Sequence, residues 1–232
     1  MSKFLSTVLL VGFSATAMAD VTMGPYVGGN LGGGWMSGKK SLMFDFEQID
    51  DLFFYNNKGC FGGDVNVLLG YRDKLEGLNM GGELSLGYSL HKQTLNDSFS
   101  DTGGTYSLTS KVKRDWNTAV IGIVGYDFGN ICVSGKLGLG VARFVHEYKE
   151  VEDDSETLEH KTLSSMSPAL FTGLLMEMDL TPSISLRADY TLWVHSSVDP
   201  AFTAEEVTEL TIRQKIVSPK VQSLTVGAAY HF

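Results

Sequence analysis

The chain has 232 residues, 26 of them Gly and only 5 Pro, and it carries a formal net charge of −9 at pH 7. This length suits one β domain, because sandwiches and barrels of about 200 to 250 residues often form a single unit. The acidic balance argues against nucleic acid as a partner, since a phosphate backbone attracts Lys and Arg.

The amino-terminal segment has the pattern of a secretory signal peptide. Lys3 supplies the positive start, residues 4–13 form a short apolar core, and Ala17-Met18-Ala19 is a typical cleavage site. Residues 1–19 are therefore predicted to be removed, which leaves a mature domain over 20–232. After residue 19 no apolar run approaches the roughly 20 residues that a membrane-spanning helix needs. Any membrane span must then be built from strands.

Eight segments of alternating polarity follow in chain order and are predicted to be strands. They cover Pro25–Trp35, Gly59–Tyr71, Leu78–Leu90, about 115–128, 131 to about 148, about 163–180, Ser183–Ser196 and Val221–Phe232. Three short turns, at 73–77, 129–130 and 181–182, alternate with long loops at about 36–58, 92–114, 149–162 and 197–217. This asymmetry and the even strand count are typical of outer-membrane barrels with both termini in the periplasm. The predicted fold is all-β, an eight-stranded antiparallel up-and-down transmembrane β-barrel.

The polar faces of these strands carry charges of both signs, namely Asp64, Arg72, Glu83, Lys136, Glu177, Arg187 and Asp189. The apolar faces could in principle form the core of a soluble barrel such as a lipocalin, but the charges on the opposite faces are interpreted as evidence against that alternative. Inside an eight-stranded transmembrane barrel, side chains fill the narrow lumen, so the charges are predicted to pair across it. The interior is therefore expected to be a salt-bridged plug rather than a wide pore. A proton or ion path through the same charges is the alternative.

Three stretches resemble a known family. Residues 176–190 (MEMDLTPSISLRADY) and 223–232 (SLTVGAAYHF) resemble the closing strands of OmpA-like and opacity-protein-like eight-stranded outer-membrane barrels, and 124–140 (VGYDFGNICVSGKLGLG) resembles their central hairpin. The resemblance implies a small non-enzymatic barrel, without cofactor, in the outer membrane of a Gram-negative bacterium. Such barrels support the envelope, adhere to hosts or conduct weakly. Unlike full-length OmpA-like proteins, this sequence is predicted to carry the barrel without a peptidoglycan-binding domain, so anchoring to the cell wall is not expected.

The resemblance also implies partners. The barrel is expected to contact outer-membrane lipids and lipopolysaccharide, and a host or surface ligand through its loops. The last strand alternates perfectly and ends on an aromatic residue, as suits a strand that faces lipid at the membrane interface. Its outward residues resemble the signal read by the barrel assembly machinery: Leu224, Val226, Tyr230 and Phe232.

The long loops are expected to carry function, because the scaffold beneath them is rigid. Loop one is rich in large apolar residues, which suit either a partner surface or packing over the barrel mouth: Phe44, Phe46, Leu52, Phe53, Phe54 and Tyr55. Loop three, 149–162, is strongly acidic and is predicted to be solvated, since it lacks the spacing of a calcium-binding EF-hand. Cys60 and Cys132 are predicted to be free thiols at opposite ends of the barrel, because a disulfide needs α-carbons within about 7 Å.

One set of residues suggests an enzyme as an alternative. His195 and Ser197 would share a strand face, and Glu209 could orient the imidazole as a general base for a serine nucleophile. The arrangement resembles PagL-like lipid A deacylases. However, Val198 stands where that family has Asn, and Glu209 lies in a loop. A non-enzymatic surface barrel is therefore favoured, with a lipid A acyl hydrolase and a narrow solute pore as alternatives.

Overall fold

The computed structural model describes residues 23–46, 49–56, 59–75, 77–100, 105–152, 156–198, 201–203 and 211–232. The predicted signal peptide, 1–19, and Glu209 lie outside these ranges. In the described part of the chain, no helix is long and apolar enough to cross a membrane.

Eleven strands lie in the described residues: β1 (Gly24–Phe46), β2 (Ile49–Asn56), β3 (Cys60–Leu75), β4 (Leu78–Ser89), β5 (Lys92–Ser100), β6 (Thr105–Asp127), β7 (Ile131–Glu152), β8 (Glu156–Thr181), β9 (Ile184–His195), β10 (Ala201–Thr203) and β11 (Thr211–His231). Eight of them form a ring in the order β1-β3-β4-β6-β7-β8-β9-β11, and β11 pairs with β1 to close it. The short strands β2, β5 and β10 pair with β1, β6 and β11. The predicted eight-stranded antiparallel barrel is confirmed.

The three short turns and the two ends of the ring lie together, at what we call the turn end. Gly77 and Gly129 have φ values of 87° and 77°, which glycine adopts without steric cost. Across the second turn, the amide of Phe128 donates to the carbonyl of Ile131 at 2.7 Å. The ring closes where Tyr26 pairs with His231. The long connections all lie at the opposite end, called the loop end.

The lower part of the ring is apolar on its outside. Along β4 and the residue that follows it, outward side chains run from Leu78 to Leu90, which spans about 30 Å of height for a strand rising about 3.3 Å per residue and tilted by about 40°. Exposed aromatic side chains flank this band on both sides. At the turn end they are Tyr71, Tyr126, Phe128, Tyr230 and Phe232, and at the loop end Trp35, Phe61, Tyr88 and Trp116. The band has the height and the aromatic borders of a lipid-facing surface.

Five ring strands continue beyond this band: β1, β6, β7, β8 and β11. On β7 the polarity of the two faces inverts as the strand leaves it. Leu137 and Leu139 point outward in the band, with Lys136 inside, whereas Phe144 is buried inside and Arg143 points outward above it. The medium outside the barrel therefore changes from lipid to water between these residues.

The predicted boundaries of the long loops were wrong. Most described residues of the segments 36–58, 92–114, 149–162 and 197–217 extend ring strands or form the three short ones. The charged and polar residues of these segments resemble a loop because the outward face of a strand in water is polar. The inward face supplies the missing apolar alternation, for example at Val112 and Phe144.

Candidate functional site

Six charged side chains form one connected layer inside the barrel, which we call the lower charged layer: Arg72, Glu83, Lys136, Glu177, Arg187 and Asp189. Arg187 lies at its centre. Its Nη2 is 2.6 Å from Glu83 Oε2, and its Nε is 3.4 Å from Glu177 Oε1. Because these residues come from five different strands, the layer ties the barrel wall together across the lumen.

The rest of the layer balances its charge. Lys136 Nζ is 3.0 Å from Glu83 Oε1 and 2.8 Å from Asp189 Oδ1. Arg72 pairs with Glu177. Three cations therefore meet three carboxylates, and their mutual attraction offsets part of the desolvation cost of burying the charges. Sequence reasoning missed Tyr26, whose hydroxyl donates to Glu83 at 2.9 Å.

Asp64, the seventh predicted charge, belongs to a second set nearer the loop end, the upper polar cluster: Asp64, Ser89, His91, Arg114 and Ser223. The two serine hydroxyls donate to Asp64 at 2.6 and 2.5 Å. Arg114 Nη1 lies 3.5 Å from Asp64 Oδ1, and His91 Nδ1 lies 3.6 Å from it. Arg114 and His91 were missed, because Arg114 fell in a predicted loop and His91 just beyond a predicted strand.

A cavity of about 20 Å³ lies between these two sets, and Asp64, Glu83, Arg114 and Lys136 help to line it. Its volume suits about one water molecule, and its polar walls offer the hydrogen bonds that a buried water needs. The cavity is thus a small gap between the two sets of packed side chains.

Apolar side chains close the lumen at the loop end. This apolar layer comprises Met36, Val112, Phe144, Ile216 and Val221, all with at most 1% of their surface exposed. A chain of contacts through the stacked rings of Trp193 and His195 joins it to the upper polar cluster below. Arg114 stacks over the Trp193 ring at 4.8 Å, and Phe144 meets His195 edge-on at 5.1 Å.

The structure does not bring the described members of the possible catalytic trio together. His195 is 2% exposed and stacks on Trp193, with ring centroids 5.8 Å apart, inside the barrel. Ser197 is exposed, and its Oγ accepts a hydrogen bond from the amide of Ser218 at 3.3 Å. The expected shared face fails because β9 ends at His195, so the alternation of a strand does not reach Ser197.

The two cysteines lie at opposite ends of the ring and are both free. Cys60 pairs across from Met36 at the loop end, whereas Cys132 pairs across from Asp127 and Glu177 near the turn end. Cys132 is buried, and the side-chain amide of Asn79 donates to its sulfur at 3.2 Å.

Several predictions on the loops fall outside the described side chains, including the apolar set of loop one, 44–55, and the acids of loop three, 150–159. Among the residues whose positions are described, no three His, Cys, Asp or Glu side chains are grouped so as to hold a metal ion. The four residues predicted to form the assembly signal are described and point outward: Leu224, Val226 and Tyr230 on β11, and Phe232 directly after it.

Above the apolar band, the outer surface carries ion pairs. Lys113 donates to Glu147, and this hydrogen bond lowers the pKa of the Glu147 carboxyl. Arg143 Nη1 lies 3.7 Å from Asp115 Oδ2. Asp115 and Trp116 both point outward because β6 has a bulge between Arg114 and Asn117.

Comparisons with known proteins agree with this architecture. The sequence matches the outer membrane protein beta-barrel domain family over residues 5–232. No curated protein matches the chain. It is similar in structure to a major outer membrane protein of Thermus thermophilus, at 19% identity and a TM-score of 0.50, covering 90% of this chain and 99% of that one.

Two further solved structures show weaker likeness. OprG of Pseudomonas aeruginosa is 12% identical with a TM-score of 0.49, covering 91% of this chain and 98% of that one. Ail of Yersinia pestis, in complex with the heparin analogue sucrose octasulfate, is 11% identical with a TM-score of 0.40, covering 90% and 100%. Sequence identities this low between this chain and the solved structures indicate a shared fold and nothing about function. With the match over nearly its whole length, the chain belongs to the outer membrane protein β-barrel domain family and resides in the outer membrane.

Proposed function

We propose that this barrel is a non-enzymatic protein that supports the envelope of a Gram-negative cell and presents its loop end for adhesion or another surface interaction. One observation carries the proposal: the lumen is filled by charged, polar and apolar side chains in turn, while five ring strands continue past the lipid-facing band. A filled lumen leaves little room for solute, and the extended strands make a rigid surface platform.

The β7–β8 pair is the longest part of this platform. Its ladder runs from Ile131 opposite Met178 to Glu152 opposite Glu156, with one register shift near the tip. The strand pairing fixes the position of whatever the tip presents, which lowers the entropic cost of binding a partner. A host or surface ligand is the partner that this arrangement supports.

Adhesion tests the surface role. Cells that lack the gene are complemented with the full chain or with a variant in which residues 150–159 are replaced by Asn-Gly, which closes the hairpin on the pair Lys149 and His160. We expect adhesion to epithelial cells or matrix proteins to fall in the variant, at an equal amount of folded barrel. Equal adhesion of both strains and of the uncomplemented strain would refute the surface role.

Envelope integrity tests the supporting role. We expect the uncomplemented strain to be more sensitive to detergent and to large antibiotics than the complemented one. Because the shortened variant keeps the whole lipid-facing ring, it should restore resistance fully. Unchanged sensitivity on loss of the gene would refute envelope support.

The pore and assembly hypotheses have their own measurements. A barrel with a filled lumen should show no steady conductance in planar bilayers, and conductance well above a few hundred picosiemens would revive the solute pore.

We also propose that the outward residues of β11, together with Phe232, are read by the barrel assembly machinery. Deletion of Phe232 should then reduce the amount of folded barrel in the outer membrane.

A further inference from the structure

A cluster of cations lies on the outer surface just above the lipid-facing band. This cationic patch consists of Lys92, Lys111, Lys113 and Arg143 on the neighbouring strands β5, β6 and β7. Lys92 is the next outward residue after the exposed Leu90, and Arg143 is the next after Val141. The patch therefore lies at the height of the lipid headgroups.

The cations of the patch outnumber the acids beside them. Lys92 lies directly opposite Lys113 across β5 and β6, and such like-charged pairs destabilise a sheet. Glu147 and Asp115 are the neighbouring carboxylates, and each already pairs with one cation of the patch. Within the described residues, neither Lys92 nor Lys111 forms an ion pair. Four cations and two acids leave a local surplus of two positive charges on a chain whose net charge is −9.

The electrostatic environment of Glu147 shows that these lysines act together. The hydrogen bond from Lys113 is the main cause of its lowered pKa, and the charges of Lys113, Lys111 and Lys92 lower it further. Lys111 pairs directly across from Glu147 in the β6–β7 ladder. One carboxylate thus faces three ammonium groups and cannot neutralise all of them.

A recess of about 400 Å³ opens beside the patch. Its walls include Tyr88, Leu90, Lys92, Lys113 and Asp115. Leu90 and Tyr88 are 64% and 54% exposed, so the lower wall is apolar. The upper wall holds the two lysines and Asp115, whose charge is paired with Arg143. A recess with an apolar wall at lipid height and cations at headgroup height complements an amphipathic anion.

We propose that this recess binds the phosphorylated headgroup of lipid A in the outer leaflet. A phosphate between Lys92 and Lys113 would relieve their repulsion, and an acyl chain would cover Leu90 and Tyr88. Lysine binds phosphate as a point charge, so the site needs no fixed fork geometry. This inference rests on the envelope-supporting part of the proposed function and gives it a specific lipid contact.

Native mass spectrometry of the full chain folded in detergent micelles tests the site, with diphosphoryl lipid A as the probe. The variant Lys92→Gln with Lys111→Gln removes the surplus charge and leaves both ion pairs intact. The matched control, Lys39→Gln with Lys220→Gln, removes two exposed lysines on β1 and β11. We expect the first variant to bind lipid A at least tenfold more weakly and the control to stay within twofold of wild type.

The other outcomes each overturn the proposal. Equal binding by wild type and both variants would show that the patch does not hold lipid A. If both variants lost lipid A binding equally, the binding would reflect a general attraction of anions to lysine and not a site at the patch. If phosphatidylglycerol bound as tightly as lipid A, the patch would not be specific for lipid A. A heat-dependent shift in gel mobility verifies that each variant is folded.

The failure of this site is distinguishable from the failure of the proposed function. The shortened 150–159 variant keeps every residue of the patch, so a loss of adhesion would not report on lipid A. Conversely, the lysine variants can lose lipid A binding without any change at the loop end. The detergent resistance of cells that carry these variants then shows whether envelope support needs this contact.

Discussion

Replacement of Glu83 by Gln should lower the free energy of unfolding of the barrel more than any exposed charge neutralisation. Glu83 accepts from Lys136, Arg187 and Tyr26 in the lower charged layer. The amide has nearly the same shape, but it removes one negative charge, and its NH2 group faces cations. The layer would carry an uncompensated positive charge in a place where water cannot neutralise it.

The expected magnitude follows from the remaining partners. Breaking a buried ion pair costs roughly 3 to 5 kcal/mol when the other charge is left without a partner. Here Lys136 keeps Asp189, and Arg187 keeps Glu177 and Asp189 as neighbours. We therefore expect the lower end of that range, about 3 kcal/mol. A second change, Lys136→Met, restores the charge balance of the layer and should recover part of this loss. The effects of substitutions at contacting residues on the free energy of unfolding are not additive.

Urea-driven unfolding from lipid vesicles, followed by tryptophan fluorescence, measures these differences. Glu147→Gln is the matched control, since it removes the same charge from an ion pair at the water-facing surface, where a loss of about 0–1 kcal/mol is usual. If Glu83→Gln and Glu147→Gln differ by less than about 1 kcal/mol, water reaches the lower charged layer. The conclusion that the lumen is filled would then be wrong.

Three further predictions concern other parts of the chain. Ser197→Ala should leave the lipid A mass profile of cells unchanged, and loss of one acyl chain only with wild type would establish the hydrolase instead. Gly140→Ala should destabilise the barrel by about 1–3 kcal/mol in the same unfolding assay, because its Cβ would lie 2.5 Å from the Trp193 ring and 2.6 Å from the Thr118 carbonyl oxygen; a neutral effect would show that both the ring and the backbone can shift. In the folded barrel a maleimide should react with Cys60 before Cys132, since only Cys132 is fully buried, and equal rates would contradict that burial.

The sequence predicted the ring well because lipid imposes a strict rule on each strand. An outward face in lipid must be apolar, so Leu84 and Leu86 alternate visibly with Glu83. Above the lipid the rule reverses, and a period-two pattern with charged residues outside resembles a loop when it is judged by composition. This is why the strand extensions, and with them Arg114, were missed.

The candidate sites were harder to predict, because they depend on where a strand stops. An H-x-S pattern shares a face only if the strand continues through both residues, and β9 ends at His195. The cationic patch had no signal in the linear sequence. Lys92 and Lys113 are brought together by the β5–β6 pairing, in a segment where no strand was predicted.

The β7–β8 ladder crosses from lipid to water without an interruption, since its register shift occurs only near the tip. Ten residues of β7 beyond Ala142 reach about 33 Å along the strand. With no hinge at the membrane surface, this segment acts as a lever fixed to the barrel. Any tilt of the barrel in the bilayer swings the tip sideways, so the thickness of the membrane helps to set where a surface ligand can be met.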